Sequence, residues 1–600
     1  MKPDGVHARI AFRAGGLACH GPLRLDFGEP QTVLQARTCE DVTAVIEAAD
    51  AAARAGAWVV GWLAYEAAHA LDSALPTHPL TDVPLAWFGV HAAPLAAQTQ
   101  AMPTPNAVRV RWDATPGDRS AFDAAVGQLR QAIEAGEIYQ ANHTARWHGE
   151  LLHGSTLDLF EALRREQAEA YAAYIDTGVL QILSLSPELF FDWDGDEILT
   201  RPMKGTAPRG ADALADAALA AQLKASAKER AENVMVVDLL RNDLSRVALS
   251  GSVQVPSLFD VQVLPTVLQM TSEVRARTRS STSLLDLLRA LFPCGSITGA
   301  PKRQAMKCIV QHETQPRGVY CGAVGVLRPG GGASFNVAIR SINVRDRRHL
   351  TLGVGSGITA SSNARSEWRE WHHKGAFALR AAAPFELLET LLLEDGRWLH
   401  ADLHQQRMGQ SARYFGYIWS PQMWQRTLQE IAQAHPQGTW RVRITADRDG
   451  DLFTTVQAMS ATATPVRIVL AGRPLGEAHS PFVRHKTTRR DHYEAAEQVM
   501  PGVFDTLLWN DDGELTECTR GNIAVYFDGE GWLTPALDCG LLPGIGRQVA
   551  LTQGRLREAI LPVASLAQAS ELAFINSLRG WLPAVLTEAV SGNVTPPSHL

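Results

Sequence analysis

Thr200-Arg201-Pro202-Met203-Lys204-Gly205-Thr206 sets one lysine between a proline and a glycine, just after a strand-like run. Proline fixes φ and glycine permits unusual backbone, so the sequence predicts Lys204 in a tight bend of stiff chain. A lysine aimed from such a bend into a pocket serves as a point charge or, once desolvated, as an amine nucleophile. A solvated loop lysine is the plain alternative, and this stretch alone does not displace it. The stretches on either side change the balance.

Upstream, Asp118 to Ala135 reads as a helix with Phe122, Val126, Leu129 and Ile133 as its apolar stripe, ended by Gly136. Gly136-Glu-Ile-Tyr-Gln-Ala-Asn-His143 follows as a polar-studded strand. Val179 to Trp193 alternates as strands do and contains Ser184-Leu-Ser-Pro-Glu188. Downstream, Glu229 to Arg246 reads as a helix with Glu229 and Glu232 one turn apart. Pro293-Cys-Gly-Ser-Ile-Thr-Gly-Ala-Pro-Lys302 is a turn-rich loop that opens another helix. Strands are expected over Val319–Leu327, Ser334–Val344 and His349–Val354, the last closed by Gly353-Val-Gly-Ser-Gly357. The helix behind it carries Glu367, Glu370 and Lys374, whose spacings of three and four put them on one face. Residues 1–115 add an amphipathic helix at Glu40–Ala53 and a buried strand from Trp58 to Tyr65, with little chemistry.

The 600 residues imply several domains, and Ala381-Ala-Ala-Pro384 reads as a junction after which the pattern restarts. We place the domains at 1–380 and 385–600. A composition of 46% hydrophobic and 20% charged residues is that of a globular protein. A net charge of −7 offers no basic field for nucleic acid or an anionic membrane. Seven scattered cysteines without a CxxC point to reduced thiols rather than disulfides or zinc. The N-terminus has no signal-peptide core and no apolar run has transmembrane length, so a cytoplasmic protein is expected.

Gly355-Ser-Gly357-Ile-Thr-Ala360 fits a loose dinucleotide-binding pattern, but a glutamate-rich helix follows where a second strand and an acidic residue should stand. A glycine turn that lets backbone approach a ligand is the better reading. Glu232, Glu367 and Glu370 are each explicable as solvated side chains; as a set they suit a hard cation such as Mg²⁺. Arg340, in a strand with apolar neighbours, either leaves the core or grips a carboxylate bidentately. With Lys374 and the amides of Ser296–Gly299, these groups suit a small polyanion.

GEIYQAN, SLSPELFF, RPMKGTAPRG, ERAENVMVVDLLRNDLSRV, FPCGSITGAPKRQAM, FNVAIRSI and GVGSGITASSNARSEWRE occur here in the order of a known family. Residues 1 to about 378 thereby resemble the chorismate-utilising enzymes: anthranilate synthase component I, aminodeoxychorismate synthase component I, and the isochorismate and salicylate synthases. The resemblance implies an α+β fold of large antiparallel sheets with outer helices, and chorismate as substrate. It implies a Mg²⁺ site at Glu232, Glu367 and Glu370, and carboxylate-holding roles for Arg340 and Lys374. It makes Glu188 an acid/base group, with Tyr139, Gln140, Ser296, Thr298, Gly299 and Gly355 around the substrate. Anthranilate synthases resemble PIAGT where Lys204 stands, whereas lysine is typical of aminodeoxychorismate synthase; isochorismate-type members carry lysine in place of Gln140 to activate water. A glutaminase-type cysteine is not evident, so the resemblance implies a separate glutamine amidotransferase subunit, or free ammonia.

The second half has its own lysine. Val483-Arg-His-Lys486-Thr-Thr, Leu515-Thr-Glu517-Cys-Thr-Arg-Gly-Asn-Ile523 and Leu542-Pro-Gly-Ile-Gly-Arg547 resemble the fold-type IV pyridoxal-phosphate enzymes. These include branched-chain and D-amino-acid aminotransferases and aminodeoxychorismate lyase. The resemblance implies a two-subdomain α+β unit with pyridoxal 5'-phosphate attached at Lys486 and Glu517 facing its ring nitrogen. It implies a phosphate cup from Arg407, Asn522, Ile545, Gly546, Asn576 and Ser577, a homodimer through this domain, and Thr390 as an aid to pyruvate elimination. Lyase and aminotransferase share the lysine and the cofactor, so the fusion itself favours the lyase, which would consume what the first half makes. The expectation is a bifunctional 4-aminobenzoate synthase of the folate pathway. Its rivals are an anthranilate synthase component fused to an aminotransferase, and a non-catalytic chorismate sensor.

Overall fold

The computed structural model describes residues 6–13, 17, 21–96, 108–167, 170–208, 213–264, 267–498 and 500–587. Cys19 and the Arg209-Gly210 end of RPMKGTAPRG lie outside these. The chain divides into two compact units, Met1–Pro384 and Phe385–Leu600.

The first unit stacks two antiparallel sheets of nine and ten strands. Strands Ala8–Phe12, Tyr171–Asp176 and Leu180–Ser186 of one sheet share a core with Trp58–Leu63 and Ala323–Leu327 of the other, through Ile10, Ile182, Trp62 and Val324. These strands read as near-continuous apolar runs because both of their faces are covered. Helices Cys39–Arg54, Ala227–Ser245 and Leu284–Leu291 pack on the second sheet through Val42, Ile46, Val236, Leu240 and Leu288. Helix Ala364–Arg380 lies against His349–Ile358 of the first sheet. Its Trp371 meets Phe122 of helix Arg119–Glu134 edge-on, with ring centroids 4.5 Å apart. Burying side chains of this size contributes about 2–3 kcal/mol each, which fixes the helix that carries Glu370 and Lys374.

Three local expectations change. Lys204 is not in a bend but on strand Met203–Pro208, where the register shifts between Met203 and Thr206. Gly205 supplies the irregularity with φ of +96°. The run Ser334–Val344 is not one strand: Ala333–Val337 belongs to the second sheet and Ser341–Arg345 to the first. Arg340 sits in the crossover between them at φ +49°. The polar strand begins only at Gln140 and runs to His153.

The second unit pairs a four-stranded sheet with an eight-stranded one. In the smaller sheet, strand Leu387–Glu394 turns its alternate residues toward helix Ala401–Phe415. The larger sheet is mixed: Val466–Leu470 runs parallel to Asp505–Trp509 and to Gly580–Thr587. Among the described residues no helix is long and apolar enough to cross a membrane. The six described cysteines stand outside any disulfide.

Candidate functional sites

In the first unit the predicted groups gather where strands Gln140–His153 and His349–Ile358 face Met203–Pro208. A methyl group at Gly357 would lie 2.7 Å from Gln140 Nε2 and 3.1 Å from Lys204 Nζ, so only glycine lets these two approach the backbone. Lys204 Nζ also lies 3.4 Å from Glu232 on helix Ala227–Ser245. Glu188 is 3% exposed, and burial pushes its carboxyl up to about 7 against the opposing pull of the Ser296 hydroxyl, Lys204 and Lys374. Those same interactions place Ser296, Lys204 and Lys374 around one carboxyl group. Lys374 Nζ donates to the Gly355 carbonyl at 2.8 Å and pairs with Glu370 at 2.7 Å. Ser296 belongs to the single turn Gly295–Ile297, and Gly299 follows with φ of +145°. A side chain at Gly299 would strike the Gln140 carbonyl at 2.1 Å, so glycine is required for the loop to pair with the strand.

Other predicted residues stand differently. Thr298 is fully buried, and its hydroxyl donates to the Cys294 and Gly295 carbonyls, so its side chain shapes the turn rather than facing a ligand. Tyr139 is 69% exposed, outside the cluster. Arg340 bonds to the Gln167 side-chain carbonyl, and among the described residues it has no carboxylate partner. Burial, then repulsion from Arg380, lowers it to about 10. A desolvated guanidinium without a counter-charge is a strong receptor for a carboxylate.

Sequence reasoning passed over Glu229. Its Oε2 would lie 3.0 Å from a side chain at Gly205, and its carboxyl is raised by burial, then by Glu232, with Glu370 adding to the effect. The signal was present in the Glu229–Glu232 spacing, one turn apart on a helix. The donors here are carboxylate oxygens, the set that a magnesium ion prefers, and their mutual repulsion is what a cation relieves. Lys204 and Lys374 supply part of that neutralisation. Glu367 instead accepts from Ser362 at 2.7 Å, and among the described residues no three acidic, His or Cys side chains already stand close enough to hold a metal. The chemistry therefore fits magnesium, while the ligands are not preassembled.

In the second unit, Lys486 is half-buried. Desolvation, then Arg407 and Arg490, lowers its amine to about 8. Glu517 is 3% exposed and raised to about 7 by burial, opposed by Tyr493, the Leu542 amide and Lys486. Tyr493 donates to its Oε1 at 2.7 Å and the Leu542 N–H does so at 3.1 Å. Arg407 donates to Glu389 through Nε at 2.8 Å and Nη2 at 2.7 Å, and reaches the Pro543 carbonyl at 3.2 Å. Asn522 donates to the Leu542 carbonyl at 3.0 Å. Helix Ile545–Thr552 starts at the Ile545 and Gly546 amides, and a side chain at Gly546 would lie 2.8 Å from the Asn576 backbone. Asn576 accepts from the Arg579 amide at 2.7 Å, which shapes the turn holding Ser577. A depressed amine, a buried carboxyl and a helix N-terminus beside an arginine match the three functional ends of pyridoxal phosphate. Thr390 falls on the sheet face opposite Glu389, away from Arg407. Glu389 itself was not anticipated; an acid on the apolar face Leu387, Leu391, Leu393 was the available sign.

Residues 13–380 match the chorismate binding enzymes, and residues 386–586 match class IV amino-transferases. Aminodeoxychorismate synthase component 1 of Salmonella typhimurium is 39% identical over 280 residues, 47% of this chain and 61% of that protein. An anthranilate synthase component 1 of Haloarcula marismortui is 36% identical over 281 residues, 46% of this chain and 52% of that protein. The chain thus spans between about half and three fifths of the length of these curated relatives. A solved structure from Bacillus anthracis, described as a 2,3-dihydroxybenzoate-specific isochorismate synthase, shares the fold at a TM-score of 0.51 and 20% identity, covering 63% of this chain and 96% of its own. With more than half of its 600 residues matched by that one family, the chain belongs to the chorismate binding enzymes.

Proposed function

We propose that the protein makes 4-aminobenzoate from chorismate in two domains, 1–380 and 385–600. The observation that carries this reading is Lys204, whose amine stands with Gln140, Glu188 and Glu232 where anthranilate synthases would offer alanine. In the first domain the Lys204 amine adds at C2 of chorismate as the C4–O bond breaks and the ring double bonds shift. With its pKa near 7, Glu188 protonates the departing 4-hydroxyl, which leaves as water. Ammonia then bonds to C4, and the C2–N bond breaks to restore the lysine, so one hard displacement becomes two easier ones. Glu232, Glu367 and Glu370 would hold a magnesium ion, which offsets the substrate's carboxylate charge. Arg340 and Lys374 would hold the carboxylates, and a glutamine amidotransferase would supply the ammonia.

In the second domain Lys486, Glu517, Arg407, Asn522, Ile545, Gly546, Asn576 and Ser577 would hold pyridoxal phosphate, which supplies an electron sink. With its amine held near 8, Lys486 takes the C4 proton. The C3–O bond then breaks, the ring becomes aromatic, and the departing enolpyruvate takes up a proton to leave as pyruvate; Thr390, on the opposite sheet face, is given no part in this step. The homodimer expected of the fold-type IV unit and a cytoplasmic location belong to the same reading.

Product analysis tests it. Chorismate, Mg²⁺ and ammonium should give aminodeoxychorismate without pyridoxal phosphate, and 4-aminobenzoate with pyruvate when it is added. Anthranilate as product would refute the reading. Undiminished 4-amination by Lys204→Ala would refute the covalent role alone.

A further inference from the structure

Arg317 lies fifteen or more residues along the chain from any group assigned above, and the residue is 2% exposed. Its donors divide between two purposes. Nε and Nη2 donate to Glu313 at 2.9 and 2.7 Å, which neutralises the buried charge. Nη1 donates to the Ile297 carbonyl at 2.8 Å, and Nη2 donates to the Asn142 carbonyl at 2.7 Å. Ile297 lies between Ser296 and Thr298, and Asn142 lies two residues after Gln140. Arg317 therefore ties the loop that touches Glu188 to the strand that touches Lys204.

The tie is itself held from several sides. Glu313 Oε1 accepts from the Thr144 amide and hydroxyl, both at 2.9 Å, on that same strand. Glu66 receives the backbone amides of Arg317 and Gly318 at 2.6 and 2.9 Å. The Tyr65 ring lies 4.5 Å from the guanidinium. Loop and strand meet directly through a short ladder, Gly299 with Ala141 and Ala300 with Gln140, flanked by the Tyr139 amide donating to the Ala300 carbonyl at 2.7 Å and the Asn142 amide donating to the Thr298 carbonyl at 2.8 Å. A planar fork of fixed geometry holds such a seam in register better than a single ammonium could.

We propose that Arg317 is a positioning residue for the chorismate site: it sets Ser296 against Glu188 by clamping the Ile297 and Asn142 carbonyls across the loop–strand seam. The inference rests on the proposed use of Ser296 and Glu188 at bound chorismate, not on which product forms. Arg317→Lys keeps the charge beside Glu313 and loses the fork. It should weaken chorismate binding in the presence of Mg²⁺, read by calorimetry, by about tenfold, the order for one charge-assisted hydrogen bond. KM should rise more than kcat falls. A double-mutant cycle with Ser296→Ala separates positioning from general loosening. If Arg317 acts through Ser296, the double variant binds no worse than the weaker single variant. Effects that multiply, or an Arg317→Lys variant with wild-type affinity, would overturn the proposal. Should Arg317→Lys fail to fold, Thr144→Val removes one hydrogen bond to Glu313 and enters the same cycle with the same two outcomes. A wild-type protein that binds chorismate and forms no 4-aminated product defeats the proposed reaction, and leaves the cycle on affinity to decide the role of Arg317.

Discussion

Glu389 is the severest test of the electrostatics in the second unit. It is 1% exposed and holds two donors of Arg407 and the His404 Nδ1 at 2.6 Å. Burial alone would raise its carboxyl; Arg407 and His404 instead bring it from 4.5 down to about 2. A depressed carboxyl contributes stability above its unfolded pKa and loses it as pH falls through the folded one. At about 1.4 kcal/mol per pKa unit, the contribution is about 3 kcal/mol at pH 7 and falls to about 2 near pH 3.5. Glu389→Gln keeps the shape and leaves Arg407 facing a neutral amide. Breaking a buried pair in this way costs about 3–5 kcal/mol, in accord with the linkage figure. Urea unfolding of both proteins, followed by a signal from the second unit at several pH values, measures the difference. The gap should be about 3 kcal/mol at pH 7 and narrow on acidification. A gap below about 1 kcal/mol, or one that stays constant with pH, would refute the reasoning.

Two further outcomes follow from the same geometry. Because Glu188 is raised to about 7, the acid proposed for the leaving hydroxyl is lost as pH rises through 7; on that proposal kcat for chorismate amination should fall there, and Glu188→Gln should lose about a hundredfold and flatten that limb. Tyr493→Phe removes a hydrogen bond that lowers Glu517, so the carboxyl moves further up; the affinity for pyridoxal phosphate, titrated by absorbance, should fall about fivefold, and an unchanged affinity would show that Tyr493 does not brace Glu517.

Much of this was legible because short-range chemistry wrote it. Helix Arg119–Glu134 follows from a 3.6-residue apolar stripe, an Asp118 cap accepting from the Ala121 amide at 2.7 Å, and the Gly136 stop. The carboxylates of Glu232 and Glu370 could be grouped because helical spacing and a shared motif order survive in one dimension. Glu389 and Arg317 could not, since their meaning lies in partners: His404 stands 15 residues from Glu389, and Asn142 stands 175 from Arg317. A buried charge reads as a solvated one until its counter-charges are located.

Lys204 and Arg340 show how local inference fails in a useful direction. Pro202 and Gly205 did mark unusual backbone, but the strand absorbs it as a register shift and keeps pairing with Val267–Arg277. The irregularity re-aims the lysine instead of ending the sheet, which is the usual effect of a bulge beside a site. Arg340 interrupts an apolar run, and alternation invited its assignment to a strand. A guanidinium on a strand buried on both faces would have neither water nor a partner, so the chain cannot continue one sheet through that position. It crosses from Ala333–Val337 to Ser341–Arg345, and the polar side chain falls at the seam between sheets, next to Gln167. The residue that breaks the pattern thus sets where the chain changes sheets. The cost of a left-handed φ, and of an arginine that has no carboxylate partner among the described residues, is concentrated at that seam.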